Sequence, residues 1–138
     1  MRMLLSNEAP DTRSVRKFTV QNTQDWMEWS GVSLIDVVNE DETPGVKLGG
    51  VGFSRAPKGA TTNFEFAYDE VLVITKGKCT VRTENETITA QASEVIYQPA
   101  GTPGIFQADE DAELVYVASS PYGKVNREMK ASLLNRKG

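Results

Sequence analysis

Residues 58–77 read KGATTNFEFAYDEVLVITKG, and this stretch decides how the chain folds. Gly59 and Gly77 punctuate its two ends. Between them an extended backbone with a side-chain period of two puts Asn63, Glu65 and Ala67 on one side and Phe64, Phe66 and Tyr68 on the other. The β-branched run Val71 to Thr75 then reads as a buried strand, with Glu70 directly ahead of it. A bulge before Glu70 would change which of the two faces it joins. A carboxyl group at the head of a buried strand costs free energy unless it has a partner or a task.

On either side of this stretch the chain is built from short apolar runs about ten residues apart, separated by turns rich in Gly, Pro and Asn. Expected strands cover 32–38, 46–55, 78–83, 87–90, 95–98, 105–108 and 113–118. Gly49, Gly50 and Gly52 mark a bend or a close backbone approach within the second of these. The acidic run 39–45 reads as a solvated hairpin tip, and 16–20 as an edge strand or one donated to a partner chain. Thr23-Gln24-Asp25 offers a cap for one helical turn whose Trp26 and Trp29 plug a barrel end. The only longer helical pattern covers 126–135, with Met129, Leu133 and Leu134 on one face. The reading is an all-β antiparallel sandwich or jelly roll, with an arm over 1–22, a barrel over 23–120 and a helical tail over 121–138.

Composition narrows the chemistry. Fifteen basic against nineteen acidic residues leave a net charge of -4, which disfavours nucleic acid and anionic membrane as partners. Cys79 is alone, so neither a disulfide nor a cysteine cluster for zinc can form within the chain. No apolar run has the length of a secretory signal or a membrane span, and a cytoplasmic location is expected. Histidine is absent altogether, which removes serine–histidine and cysteine–histidine nucleophilic mechanisms and the commonest transition-metal ligand.

Two motifs resemble the pair that defines the cupins. The first cupin motif has a glycine, two histidines one residue apart, a glutamate, and a glycine seven positions further on. Glu70 and Gly77 keep that last spacing, and Gly59 stands in the opening turn. Asn63 and Glu65 replace the histidines if four residues separate them from the glutamate; Phe64 and Phe66 replace them if three do. The second motif resembles residues 93–104, where Ser93 stands for a glycine, Pro99-Ala100-Gly101 matches, and Gly104 holds the place of the third histidine. Tyr68-Asp69-Glu70, Lys76-Gly77-Lys78 and residues 86–90 look most like the ethanolamine-utilisation protein Q type, which also lacks these histidines. The resemblance implies a jelly-roll β-barrel with a short C-terminal helix. It implies a homodimer paired through an N-terminal strand or a sheet face, and acetate kinase activity serving ethanolamine breakdown.

The residues themselves suggest several chemistries. Glu70, Glu65 and Tyr68 are the catalytic candidates, because two carboxyl groups sharing a barrel interior would hold protons near neutral pH. Tyr97, Asn63, Tyr116 and Phe106 are the candidate ligand contacts. No histidine-based metal site exists, and Mg2+ is expected only if a phosphorylated substrate carries it in. Lys58, Lys76 and Arg82 read as strand-edge charges, and no phosphate-binding glycine loop is present. The expected function is binding of a small carboxylate or phosphorylated metabolite. The alternatives are a non-catalytic storage or assembly protein, and a lyase or isomerase using a carboxylate and a tyrosine.

Overall fold

The computed structural model describes residues 14–20, 25–126 and 128. Ten strands follow one another: β1 (Met27–Trp29), β2 (Val32–Asn39), β3 (Gly50–Ala56), β4 (Thr61–Phe64), β5 (Glu70–Lys76), β6 (Lys78–Thr83), β7 (Thr87–Gln91), β8 (Val95–Gln98), β9 (Gly104–Ala108) and β10 (Ala112–Ala118). They pair antiparallel in a six-stranded sheet of order β1-β2-β3-β10-β5-β8 and a four-stranded sheet of order β4-β9-β6-β7. The chain is all-β, a jelly roll whose inner faces bury Leu72, Ile74, Ile96, Leu114, Val81 and Phe106. Cys79 is fully enclosed in that core, and burial, with Asp109 nearby, pushes its thiol up to about 11. No helix among the described residues is long and apolar enough to cross a membrane.

The turns explain several residue choices. Glu94 N–H closes a β-turn by donating to Gln91 O at 3.0 Å, and Ser93 at its third position has φ +76°. That left-handed conformation suits glycine, so the motif's preference for glycine at this position follows from the turn. The close approach expected around Gly52 is present, since a Cβ there would collide with the Tyr116 phenol and the Ile35 carbonyl. Asp69 accepts from Ala100 N–H at 2.8 Å and so ties the Pro99-Ala100-Gly101 turn to the start of β5.

Four expectations need correction. Residues 27–29 form β1 rather than a helical turn. Ser30 and Gly31, with φ of +53° and +84°, make the tight connection to β2, and Trp29 pairs with Val32. A two-residue turn with positive φ at both positions matches the twist of a hairpin, and the three residue pairs between β1 and β2 outweigh one turn of helix. The second strand starts at Gly50, not at residue 46. Residues 14–20 form no edge strand of either sheet within the chain, which leaves their other reading, a strand donated to a partner chain. The C-terminal helix starts at Tyr122 rather than 126, while Met129, Leu133 and Leu134 lie outside the described residues.

The acidic turn also differs from a free hairpin tip. Asn39 is buried, and its Oδ1 accepts from Asp41 N–H at 2.9 Å and Glu42 N–H at 2.7 Å. Glu40 accepts from Ser120 Oγ–H at 2.6 Å and from Gly123 N–H at 3.2 Å. The turn therefore docks against the first residues of the terminal helix and helps to set that helix across the barrel.

Candidate functional site

From Thr62 to Ile74 the even-numbered side chains turn inward without interruption. No bulge breaks the period, so Glu70 shares a face with Phe64, Phe66 and Tyr68. These residues line a cavity of about 310 Å³ between the sheets, together with Gln98 from β8, Phe106 from β9, Tyr116 from β10, and Tyr122 and Asn126 from the terminal helix. Asn63 and Glu65 fall on the opposite face, are exposed, and reach the cavity only at its rim. The proposed Glu65–Glu70 carboxyl pair is thus not formed, because positions five apart on a period of two cannot share a face.

The same alternation decides which residues stand where the cupin histidines would be. Phe64 and Phe66 point inward, which selects the three-residue spacing to Glu70 over the spacing that used Asn63 and Glu65. Gly104, in the third histidine's position, makes room for a ring, since a Cβ there would meet the end of Phe64. Two phenyl rings and a glycine offer no donor to a metal beside Glu70, so the residues do not fit a transition-metal centre. Among the described residues no three cysteine, aspartate or glutamate side chains gather where a metal ion could sit.

An aromatic wall replaces them. The Phe64 and Phe66 rings stack with centroids 5.5 Å apart, and Phe66 and Tyr68 stack at 4.8 Å. Trp29 tilts against Phe66 at 5.9 Å, which places it over the cavity much as a plug was expected to sit. Tyr68 meets Tyr122 edge to face at 5.2 Å. Trp26 takes no part in the cavity and lies instead under Arg55, 4.3 Å from the guanidinium carbon.

Behind this wall is the residue that sequence reading missed. Asp36 on β2 accepts four hydrogen bonds: from the hydroxyls of Tyr116 and, at 2.7 Å, Tyr122 on Oδ1, and from Asn126 Nδ2 at 2.5 Å and Asn39 Nδ2 at 3.1 Å on Oδ2. One carboxylate thereby joins β2, β10, the acidic turn and the terminal helix. The signal was available, because Asp36 is the lone acid inside the apolar run 32–38, in the same predicament as Glu70.

Glu70 itself is enclosed by protein but opens on the cavity. Burial, and secondarily the charge of Asp36, push its carboxyl up to about 8. Burial also raises the phenols of Tyr68, Tyr116 and Tyr122 far above the ordinary tyrosine value, with the neighbouring carboxyls adding to it. At neutral pH the site therefore presents a protonated acid among neutral phenols. Such a group can hold a proton for a ligand or release it in response to a nearby positive charge.

Gln98 faces Glu70 across the β5–β8 pair. Gln98 and Asn126 are buried, and neither Gln98 Oε1 nor Asn126 Oδ1 receives a hydrogen bond from the protein. Of the residues read from sequence, Glu70, Tyr68, Tyr116 and Phe106 come together at the cavity. Tyr97 does not; it is 59% exposed on the outer face of β8. Its neighbour in the strand, Gln98, takes the inward position instead.

Known proteins resemble this arrangement. The family described as ethanolamine utilisation protein EutQ matches residues 12–122. An ethanolamine utilization protein q from Salmonella typhimurium LT2 is 28% identical, with a TM-score of 0.61, over 68% of this chain and 77% of that one. The EutQ protein of Clostridium difficile is 25% identical, with a TM-score of 0.56, over 64% of this chain and 61% of that one. The cupin domain of Schizosaccharomyces pombe Cnp3, 15% identical with a TM-score of 0.63 over 81% of this chain and 79% of its own, shares the fold. No curated protein matches. With a cupin fold, an inward glutamate and a family match running from residue 12 to 122, the chain belongs to the ethanolamine utilisation protein EutQ family.

Proposed function

We propose that the barrel cavity binds a small metabolite and that Glu70 is the group that exchanges a proton with it. The observation that carries this reading is a carboxyl group held protonated near neutral pH in the wall of a mostly apolar cavity. A proton-transfer reaction, such as a lyase or isomerase step, would use Glu70 with Tyr68 beside it. A storage or assembly protein would use the same cavity without turnover. Acetate kinase activity, implied by the resemblance, finds less support in the site itself. Acetyl phosphate would enter a cavity whose described lining carries Glu65 at the rim, Glu70 in the wall, and no lysine or arginine.

Native mass spectrometry and thermal shift test the reading together. The wild-type chain is expected to retain, or to be stabilised by, at least one compound from a panel of small amines, alcohols and acids. Leu72→Phe, which fills the cavity wall, is expected to lose that response. If no compound shifts the wild-type protein and none is retained, the cavity is not a ligand site. Turnover abolished in Glu70→Gln with binding kept would mark an enzyme; binding kept in a chain with no turnover would mark a binding protein.

We further propose that the chain pairs with a second copy through the outer face of the six-stranded sheet. Val71 and Val73, Val115 and Val117, and Val51 and Phe53 form cross-strand apolar rows there, none of them in the core. Val95 and Tyr97 extend the rows and are largely exposed. This broad face is neutral, with Arg55 and Glu113 offsetting one another at its margin, 3.6 Å apart. A flat, uncharged, apolar sheet suits a self-complementary two-fold contact. Sedimentation equilibrium is expected to show a dimer that Val73→Arg dissociates; a wild-type monomer at high micromolar concentration would remove this proposal.

A further inference from the structure

We propose that the cavity selects a compact organic cation, bearing a primary or quaternary ammonium group, over neutral molecules of the same shape and over anions. The inference rests on the reading of the cavity as a ligand site and adds the class of ligand.

Three independent features point the same way. The unsatisfied polar atoms are all acceptors. Gln98 Oε1 and Asn126 Oδ1 are buried with no donor, and both residues line the cavity with the Glu70 carboxyl. A ligand that completes them must donate: a primary ammonium group carries three N–H donors and no acceptor, whereas a quaternary one donates only through a hydroxyl such as that of choline. The second feature is the aromatic wall: Trp29, Phe64, Phe66 and Tyr68 line the space, Phe66 stacked between Phe64 and Tyr68, and offer packing surface to the alkyl part of a small amine. The third is the charge inventory. The described lining carries carboxyl groups and no lysine or arginine, and Asp36 adds its charge from behind Tyr116, Tyr122 and Asn126. An anion would meet repulsion from Asp36 and from any ionised carboxyl of the lining, while a neutral ligand would gain no charge attraction from them. The volume of about 310 Å³ lies at the small end of the range of ligand pockets, which suits a small amine.

Binding of a cation is coupled to a proton. The groups facing Glu70 are Tyr68 ahead of it, Asp36 from β2, Tyr116 from β10 and Tyr122 from the terminal helix, with the neutral amide of Gln98 across the strand pair. No positive group in this set charges Glu70 in the empty cavity, so its proton is held up to about pH 8. An ammonium ion placed against it favours the ionised form, expels the proton, and binds more tightly as pH rises towards that value.

Isothermal titration at several pH values tests this with choline and ethylammonium as cation probes, 3,3-dimethylbutan-1-ol as the neutral isostere of choline, and acetate and inorganic phosphate as anions. The better cation is expected to bind about tenfold or more tightly than the neutral isostere. Its affinity is expected to climb several-fold between about pH 6 and pH 8 with proton release on binding, as a carboxyl titrating near 8 requires. Glu70→Gln should lose the pH dependence and most of the preference, whereas Glu86→Gln, exposed and outside the cavity lining, should leave both unchanged. If the neutral isostere binds as well as choline, or an anion binds more tightly than either cation, the ligand class is wrong though the cavity remains a binding site. If none of the probes, charged or neutral, binds at millimolar concentration, the ligand class and the binding reading both fail.

Discussion

Asp36→Asn is expected to lower the stability of the fold by about 3 kcal/mol, with the thermal midpoint falling by roughly 10 °C. The substitution keeps size and shape, so only the hydrogen-bond inventory changes. Asp36 accepts from two hydroxyls on one oxygen and from two side-chain amides on the other. An asparagine retains one acceptor for the tyrosines and turns an NH2 group towards the amides of Asn39 and Asn126. Two donors then lose their acceptor in a place where water enters poorly, and the remaining bonds lose their charge assistance. Tyr122→Phe, which removes one donor, is expected to cost only about 1 kcal/mol. Urea and thermal unfolding at neutral pH provide the measurement. A loss below about 1 kcal/mol for Asp36→Asn would show that the four contacts do not hold the terminal helix to the barrel. The same variant removes a like charge facing Glu70, so the Glu70 carboxyl is expected to titrate lower in it.

Glu70→Gln is expected to leave stability nearly unchanged at about pH 5 and to raise it on the order of 3 kcal/mol at about pH 9. The sign follows from the direction of the shift. Glu70 is raised from 4.5 to about 8 in the folded state, so the folded chain binds this proton more tightly than the unfolded chain does. The associated stability is complete below about 4.5 and is lost as pH rises through about 8, where the buried carboxyl is forced to ionise. Glutamine cannot ionise and keeps its stability across that window. Because Glu70 opens on the cavity, water there screens part of the full effect. Unfolding curves of the two proteins across the pH range should diverge from about pH 5 upward; parallel curves would mean that the Glu70 carboxyl titrates normally.

Much of the site could be read from residues 58–77. The alternation that separates Phe64, Phe66 and Tyr68 from Asn63 and Glu65 is a local property of an extended chain, and the structure keeps it through Glu70 to Ile74. Both alignments of the motif were open in the sequence; the period of two leaves Asn63 and Glu65 on the outer face, reaching the cavity at its rim, and so removes the Glu65–Glu70 pair. Tyr97 failed for a related reason. In a strand with the pattern exposed, buried, exposed, buried, its neighbour Gln98 was the inward residue, and a glutamine attracts less notice than a phenol.

The sequence by itself determined the length of most strands, the exclusion of histidine chemistry, and the presence of a glutamate directly ahead of an apolar run. These are consequences of residue type and local period, which act over a few positions. Only the tertiary structure decided what meets Glu70. Asp36 contacts residues 80, 86 and 90 positions away, and such meetings depend on how two sheets close and where a terminal helix lands. Burial then altered the acid itself: a carboxyl that water would leave charged keeps its proton where the barrel excludes solvent and places a second acid behind it.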